Sequence, residues 1–322
     1  MLGQLALSGR VWWWAMVDLA MTPVVVVAVP LLVGAVAAYL RRMAAIGLAV
    51  LQLAVAQFGG QADLGALAAC ADAPAHTLRV TSWNTLYWHV DSDRDAFYAL
   101  LREQRADVLV LQEYMGHDAW VPRPIDDLPR LRAEFPGTHI AAAGELLTVS
   151  RFPIVDQRVL TAEPAEPATG WREYWTHRVL RTDLDIAGRV LSVYNVHLAD
   201  PIDIAVSPLS VEFLTSAEYL GRWKAAQLDL LRAELAANPN PVLLTGDVNF
   251  PPGSGEERAL EPLSDAACGA FLPTTFAFRG LWWWRLDRTF TSEDVRVHEH
   301  AVLDPRGQST HKLQNLVVSI KE

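Results

Sequence analysis

Four apolar stretches of this 322-residue chain stop on a side chain that can bind a metal ion or a phosphate: LRVTSWN at Asn84, DVLVLQE at Glu113, VLSVYNVH at His197, and LLTGDVNF at Asp247 and Asn249. Each has the aliphatic and β-branched content of a strand buried on both faces. A strand needs no polar terminus, and one such ending alone would read as a turn or cap residue. Four alike point to one open sheet edge where polar groups gather, the position at which sheet proteins place their sites. Alternate residues of an extended chain face the same way, so Asp247 and Asn249 can present their polar groups to one cavity.

Apolar runs with strand character recur at Leu78 to Trp83, Val108 to Leu111, Leu147 to Val149, Val179 to Leu184, Val190 to Val196, Val242 to Thr245, Arg288 to Thr291 and Leu316 to Ile320. Helical periodicity fills some of the gaps. RDAFYALLREQ sets Phe97, Leu100 and Leu101 on one face, and Glu212 to Leu235 sets Leu220, Trp223, Leu228, Leu231 and Leu235 as the buried positions of a long amphipathic helix. Strands and helices mixed without strict alternation over residues 77–322 indicate a layered α/β or α+β domain. The Pro-rich stretch Ala162 to Gly170 and the segment Pro201 to Ser210 read as loops.

The amino terminus reads differently. No residue from Leu19 to Leu40 is charged, and after Arg41 and Arg42 a second uncharged stretch runs from Met43 to Ala62. A membrane crossing takes about 20 apolar residues, so the two stretches read as a transmembrane helical hairpin. Its spans are 19–40 and 43–62, inside a membrane segment 1–62. By the positive-inside bias the two arginines stay cytoplasmic, which puts the catalytic domain at 77–322, after a linker at 63–76, outside the cell membrane. Trp12 to Trp14 then suit an interfacial aromatic belt. A buried helical hairpin of a soluble protein is the competing reading. The formal net charge is −10, and the four charged residues before position 60 sum to +2, leaving −12 for the remainder. That balance disfavours sequence-blind binding to a long polyanion. Cys70 and Cys268 have no metal-ligand spacing and read as two unpaired residues, with a single bridge between them as the alternative.

The stretches SWNTLY, LQEY, SRFPI, NVHL, GDVNF, LDRTF and STHKLQ, in this order from Ser82 to Gln314, resemble the endonuclease/exonuclease/phosphatase superfamily of metal-dependent phosphohydrolases. The resemblance implies a four-layer α/β/β/α sandwich in which two mixed β-sheets pack face to face between helices. It implies that Asn84 and Glu113 hold Mg²⁺ or Mn²⁺, hard cations suited to oxygen ligands. His311 matches the general base that deprotonates the attacking water, and Asp287 the carboxylate that orients it. Asp247 and Asn249 match the groups that position the nucleophile and a phosphate oxygen, and His197 the donor to the phosphoryl group. Arg151 of the SR pair is read as chiefly structural and secondly as a brace of the substrate site, and Arg288, which follows the catalytic Asp where many relatives carry His, is read as a substrate contact.

One departure stands out: many relatives have Asp before the last histidine, whereas this chain has Thr310. The expected activity is hydrolysis of a phosphate ester by a His–Asp activated water and a divalent cation. A membrane-anchored phospholigand-binding protein that has lost turnover is the alternative, with Thr310 as its support. The substrate stays open among phospholipid head groups, nucleic acid and small phosphoesters, and no protein partner is inferred. Trp175, with Trp171 and the run Trp282 to Trp284, is read as substrate-stacking or interfacial against ordinary packing.

Overall fold

The computed structural model describes residues 2–23, 27–39, 46–47, 69–73, 76–119, 121–162, 171–269 and 273–321. The chain opens with helices α1 (Leu2–Leu7), α2 (Trp14–Pro23) and α3 (Val29–Tyr39). It continues through β1 (Leu78–Asn84), α4 (Arg94–Glu103), β2 (Val108–Gln112), the ribbon β3 (Gly116–Asp118) and β4 (Val121–Arg123), α5 (Leu128–Glu134), β5 (His139–Ala143), β6 (Leu146–Ser150) and β7 (Ile154–Thr161). Next come α6 (Arg172–Thr176), β8 (His177–Ile186), β9 (Arg189–His197), the long α7 (Val211–Ala237), β10 (Val242–Asp247), a 3₁₀ turn (Gly255–Leu260) and β11 (Ser264–Asp265). The hairpin β12 (Phe276–Phe278) and β13 (Leu281–Trp284) leads into β14 (Asp287–Thr291), β15 (Val295–Leu303) and β16 (Leu313–Ile320).

Two six-stranded sheets, ordered β15-β16-β1-β2-β6-β5 and β11-β14-β10-β9-β8-β7, share one plan. Each has a single parallel pair near its middle, β1 with β2 and β9 with β10, and is antiparallel elsewhere. A parallel neighbour needs a crossover, and α4 and α7 supply the two. Their local sequence fits the task. The Asp93 carboxylate accepts from the Ala96 N–H and the Ser210 hydroxyl from the Phe213 N–H, capping both helices. Phe97, Leu100 and Leu101 of α4, and Trp223, Leu228, Leu231 and Leu235 of α7, are buried as the spacing predicts, while Leu220 is half-buried.

Three of the apolar clusters separate the layers, as a four-layer molecule requires. One joins Trp83, Leu109 and Leu111 to α4, and another joins Tyr194, Val196, Leu244 and Phe290 to α7. A third, with Val80, Val110, Val193, Leu243 and Leu316, fills the space between the sheets. Strands β2, β6, β10 and β14 are buried at every position, because each carries a layer on both faces.

The amino-terminal expectation is only partly within the described residues. Its second span, 43–62, lies outside them apart from Ile46 and Gly47, and the first is interrupted at residues 24–26. Among the described residues no helix is long and apolar enough to cross a membrane. Residues 2–19 moreover pack on the two-sheet body rather than standing apart from it. The Gly255 N–H donates to Ser8 Oγ at 2.6 Å, Ser8 Oγ donates to Asp18 Oδ2 at 2.7 Å, and the Trp284 indole donates to the Leu19 carbonyl at 2.9 Å. Trp12, expected in an aromatic belt, lies against Gly221, where a Cβ would come within 2.7 Å of it. The cysteine reading is also corrected: Cys70 and Cys268 form a disulfide, with Cα atoms 5.2 Å apart. Tertiary packing brings residues 70–71, where the Ala71 N–H donates to the Val297 carbonyl at 3.2 Å, beside the loop after β11, a proximity no sequence spacing displays.

Candidate active site

Strand polarity gathers residues that the sequence scatters. The parallel pairs end together: Asn84 lies beside Gln112, with Glu113 next in the chain, and His197 lies beside Asp247. Their antiparallel neighbours begin at the same edge. Asp287 opens β14 opposite Asp247, and His311 stands just before β16, whose Gln314 pairs with Ser82.

At that edge His311 and Asp287 form a buried pair, with Nδ1 2.9 Å from Asp287 Oδ2 and 3.7 Å from Asp247 Oδ2. Nδ1 carries the proton in this contact, which leaves Nε2 as the basic nitrogen. Burial disfavours the imidazolium, but Asp287, Asp247 and Glu113 outweigh it and hold the His311 pKa up to about 9. The Ser309 hydroxyl fixes the approach of the histidine, donating to the Asn84 carbonyl at 2.8 Å and accepting from the His311 N–H at 2.9 Å. The ring of Phe276 lies 4.8 Å from the imidazole.

A second histidine is braced in the same manner by residues that the sequence reading missed. His197 Nδ1 sits 3.0 Å from Glu145 Oε1, and Arg178 Nη1 donates to the same oxygen at 3.2 Å. Glu145 Oε2 accepts the Glu113 N–H at 2.6 Å, so one buried carboxylate ties both histidine and acid in place. Burial opposes its ionisation, yet His197 and Arg178 keep Glu145 below the ordinary range. His197 is raised by Glu145 and Asp247 against burial and the Arg178 charge. Glu145 sits at a hairpin turn, where an acid ordinarily means a solvated tip. The one available signal was Arg178, a charge inside the apolar run HRVL that demanded a buried partner.

The backbone around these groups is strained in a way that aims donors inward. Leu86, Tyr87, Trp88, Glu113 and Asn249 all have positive φ, between 53° and 61°. The Leu86 N–H donates to Asn84 Oδ1 at 3.1 Å, the Tyr87 N–H to Glu113 Oε2 at 2.9 Å, and Asn84 Nδ2 to Asp247 Oδ2 at 3.1 Å. Asn249 donates its backbone N–H to Asp247 Oδ1 at 3.0 Å, while its carbonyl accepts from the buried Lys224 ammonium at 2.8 Å. Gly246, at φ 141°, has no alternative: a Cβ there would lie 2.1 Å from the Val196 carbonyl oxygen.

The seven side chains Asn84, Glu113, His197, Asp247, Asn249, Asp287 and His311 thus converge, all of them buried. Of the three expected substrate contacts, the two arginines are placed elsewhere. Arg151 pairs with Asp107 at 2.9 Å, ahead of Val108, because β6 runs antiparallel to β2 and carries it to the end remote from Glu113. Arg288 follows Asp287 on one strand, so its side chain turns to the opposite face, where Asp265 and Glu257 bind it over the ring of Phe290. Trp175 packs its ring 5.6 Å from that of Trp223 on α7.

The donor set fits a hard divalent cation. Glu113, Asn84 and Asp247 offer oxygens, and four buried carboxylates, Glu113, Glu145, Asp247 and Asp287, face Arg178 and two histidines. Burial pushes Glu113 and Asp247 up, the latter further under the charge of Asp287, and a cation bound to these oxygens would favour the ionised carboxylates. Ligand-capable atoms of Asp247, Asp287 and His311 also lie within 4.8 Å of one another. The His311 nitrogen nearest Asp247 is the one committed to Asp287, which favours the oxygen set.

Comparison with known proteins agrees with this geometry. A search of curated proteins gives no match. An endonuclease/exonuclease/phosphatase from Beutenbergia cavernae is similar at 19% identity and TM-score 0.54, over 76% of this chain and 72% of its own. A sphingomyelinase C from Streptomyces griseocarneus matches at 16% identity and TM-score 0.51, over 76% of this chain and 99% of its own. A 3′ phosphatase from Neisseria bound to a product DNA hairpin matches at 20% identity and TM-score 0.50, over 76% and 100%. These likenesses show the fold, and the family model for the Endonuclease/Exonuclease/phosphatase family matches residues 81–311, so this chain belongs to that family.

Proposed function

We propose that this protein hydrolyses a phosphate ester with water as nucleophile, His311 as general base and a divalent cation, Mg²⁺ or Mn²⁺, at Glu113 and Asn84. The observation that carries the reading is the buried His311–Asp287 pair beside Asp247. His311 Nε2 takes a proton from the water as its oxygen bonds to phosphorus, and the ester P–O bond breaks with its electron pair on the leaving oxygen, which solvent protonates. Asp287 stabilises the imidazolium so formed. Asp247 and Asn249 hold the nucleophile, and His197, set by Glu145, donates to a phosphoryl oxygen as charge builds on it. The cation, when bound, offsets that charge as a Lewis acid.

His311→Ala and Glu113→Ala are each expected to abolish hydrolysis of a generic phosphodiester, as is EDTA, with activity restored by added Mg²⁺. Full activity of the purified Glu113→Ala protein would overturn the mechanism.

The catalytic domain is placed outside the cell membrane, in an amino-terminally anchored protein. The Cys70–Cys268 bridge supports this, because disulfides persist in oxidising compartments. Protease treatment of intact cells tests it: a carboxy-terminal tag that survives external protease would reverse the topology.

A further inference from the structure

Asp127 stands at the start of α5, where an aspartate ordinarily accepts from the N–H groups of the helix's own first turn. Its carboxylate makes no such bond. It is buried instead and gathers donors from four other side chains. Trp88 Nε1 at 2.9 Å, His89 Nε2 at 2.7 Å and the Tyr98 hydroxyl at 2.6 Å all meet Oδ2, and the Arg94 guanidinium donates to Oδ1. Burial opposes its ionisation, yet the bonds from Tyr98, Trp88 and His89 hold Asp127 below the ordinary carboxylate range. An ionised carboxylate only accepts, so His89 Nε2 carries a proton. No step of the proposed hydrolysis uses any of these groups.

Two of the four donors close the left-handed run Leu86–Trp88. Three consecutive residues at positive φ, with no glycine among them, persist only where their surroundings over-determine the backbone. That run is what aims the Leu86 N–H at Asn84 Oδ1 and the Tyr87 N–H at Glu113 Oε2. A second tie starts from the same residue. The Asp127 N–H donates to the Tyr114 hydroxyl at 2.7 Å, Tyr114 follows Glu113 in the chain, and the Trp88 ring meets the Tyr114 ring edge-on at 4.8 Å. One aspartate thus fixes both backbone segments that flank the Glu113 carboxylate.

We propose that Asp127 is a positioning residue for the cation site: it locks the run Leu86–Trp88 so that two backbone N–H groups orient Asn84 and Glu113, and losing its charge weakens cation binding while the two-sheet body stays folded. The inference rests on the divalent-cation reading above. An amide is no substitute for the carboxylate, because whichever way it turns its own N–H groups face donors.

Titration of the metal-stripped full chain with Mn²⁺, followed by calorimetry, tests this without any substrate. Asp127→Asn is expected to weaken Mn²⁺ binding about tenfold or more, the usual scale for a group that orients metal ligands, and to speed amide hydrogen exchange across residues 85–89. Trp88→Phe keeps a ring in place and deletes one donor from the run, so a smaller loss of about three- to tenfold is expected. Tyr98→Phe removes a donor to the same oxygen from α4, outside the run. It is expected to lower the denaturation midpoint, as loss of a buried hydrogen bond does, yet to hold Mn²⁺ within about twofold. Unchanged affinity in a folded Asp127→Asn protein, or equal losses in Trp88→Phe and Tyr98→Phe, overturns the proposal. Should Asp127→Asn lose its cooperative unfolding transition, the Trp88 and Tyr98 variants decide. An unmodified chain that takes up no Mn²⁺ sinks the cation reading and this proposal together. One that takes up Mn²⁺ but cleaves no phosphodiester sinks the hydrolase reading alone, and the affinities still decide the role of Asp127.

Discussion

Each histidine of the site leans on a carboxylate, His311 on Asp287 and His197 on Glu145, and the two carboxylates have different consequences for the proposed mechanism. Because a general base must be neutral, turnover is expected to rise with pH towards the His311 pKa of about 9 in the metal-free balance of charges. Asp287→Asn removes the group that favours the imidazolium. The limb of the pH–rate profile then moves to lower pH, and the plateau falls about 10²- to 10⁴-fold. An unchanged limb would detach Asp287 from the base. The same raised pKa governs stability. Its contribution is fully present below the unfolded value of 6.5 and is lost as pH rises through about 9. Denaturation midpoints of the metal-free protein should therefore fall across that window, and the His311→Ala protein should lack this component.

At the scale of elements, Gly246 shows how one position commits a strand. A Cβ would strike a backbone carbonyl that the parallel pairing of β9 and β10 cannot move, at a φ that favours glycine. Gly246→Ala is expected to lower stability by about 2 kcal/mol or more, read from chemical denaturation, and to displace Asp247, lowering kcat. The strands legible in the sequence were those between two layers, such as β2 and β10, whose unbroken apolar runs need no partner to be recognised. Those overlooked, β5, β7 and β15, lie at sheet edges, where exposed residues such as Asp156, Gln157 and Arg296 dilute the pattern. The site was legible in unequal measure for a related reason. Asn84, Glu113, His197 and Asp247 terminate apolar runs, so the residues themselves announced them. Asp287 and His311 begin strands and stood out only by resemblance to relatives. Glu145 and Arg178 act through a contact across the two sheets, which one-dimensional order does not encode.

Across the whole molecule, the disulfide closes a loop with a sequence separation of 198 residues, from the linker to the segment after β11. By loop-closure entropy this is worth about 5 kcal/mol, as it restrains the unfolded chain. Cys70→Ser should lose most of that in a denaturant titration, and reductant should bring the unmodified protein to the same midpoint. The closed loop contains Asn84, Glu113, His197 and Asp247 but leaves Asp287 and His311 outside it. Beyond the bridge, the halves of the site are therefore joined by sheet pairing and by contacts such as that of the Ser309 hydroxyl with the Asn84 carbonyl.

The contacts of Ser8, Asp18 and Leu19 with the 3₁₀ turn and with Trp284 have a practical side. Trimming the front of this protein for solubility would strip bare the Gly255 amide, the Arg258 guanidinium that donates to the Ser8 carbonyl, and the Trp284 indole, whose ring neighbours Phe276 beside His311. Whole chains in detergent or in nanodiscs, rather than a shortened fragment, are the sound starting material for enzymology.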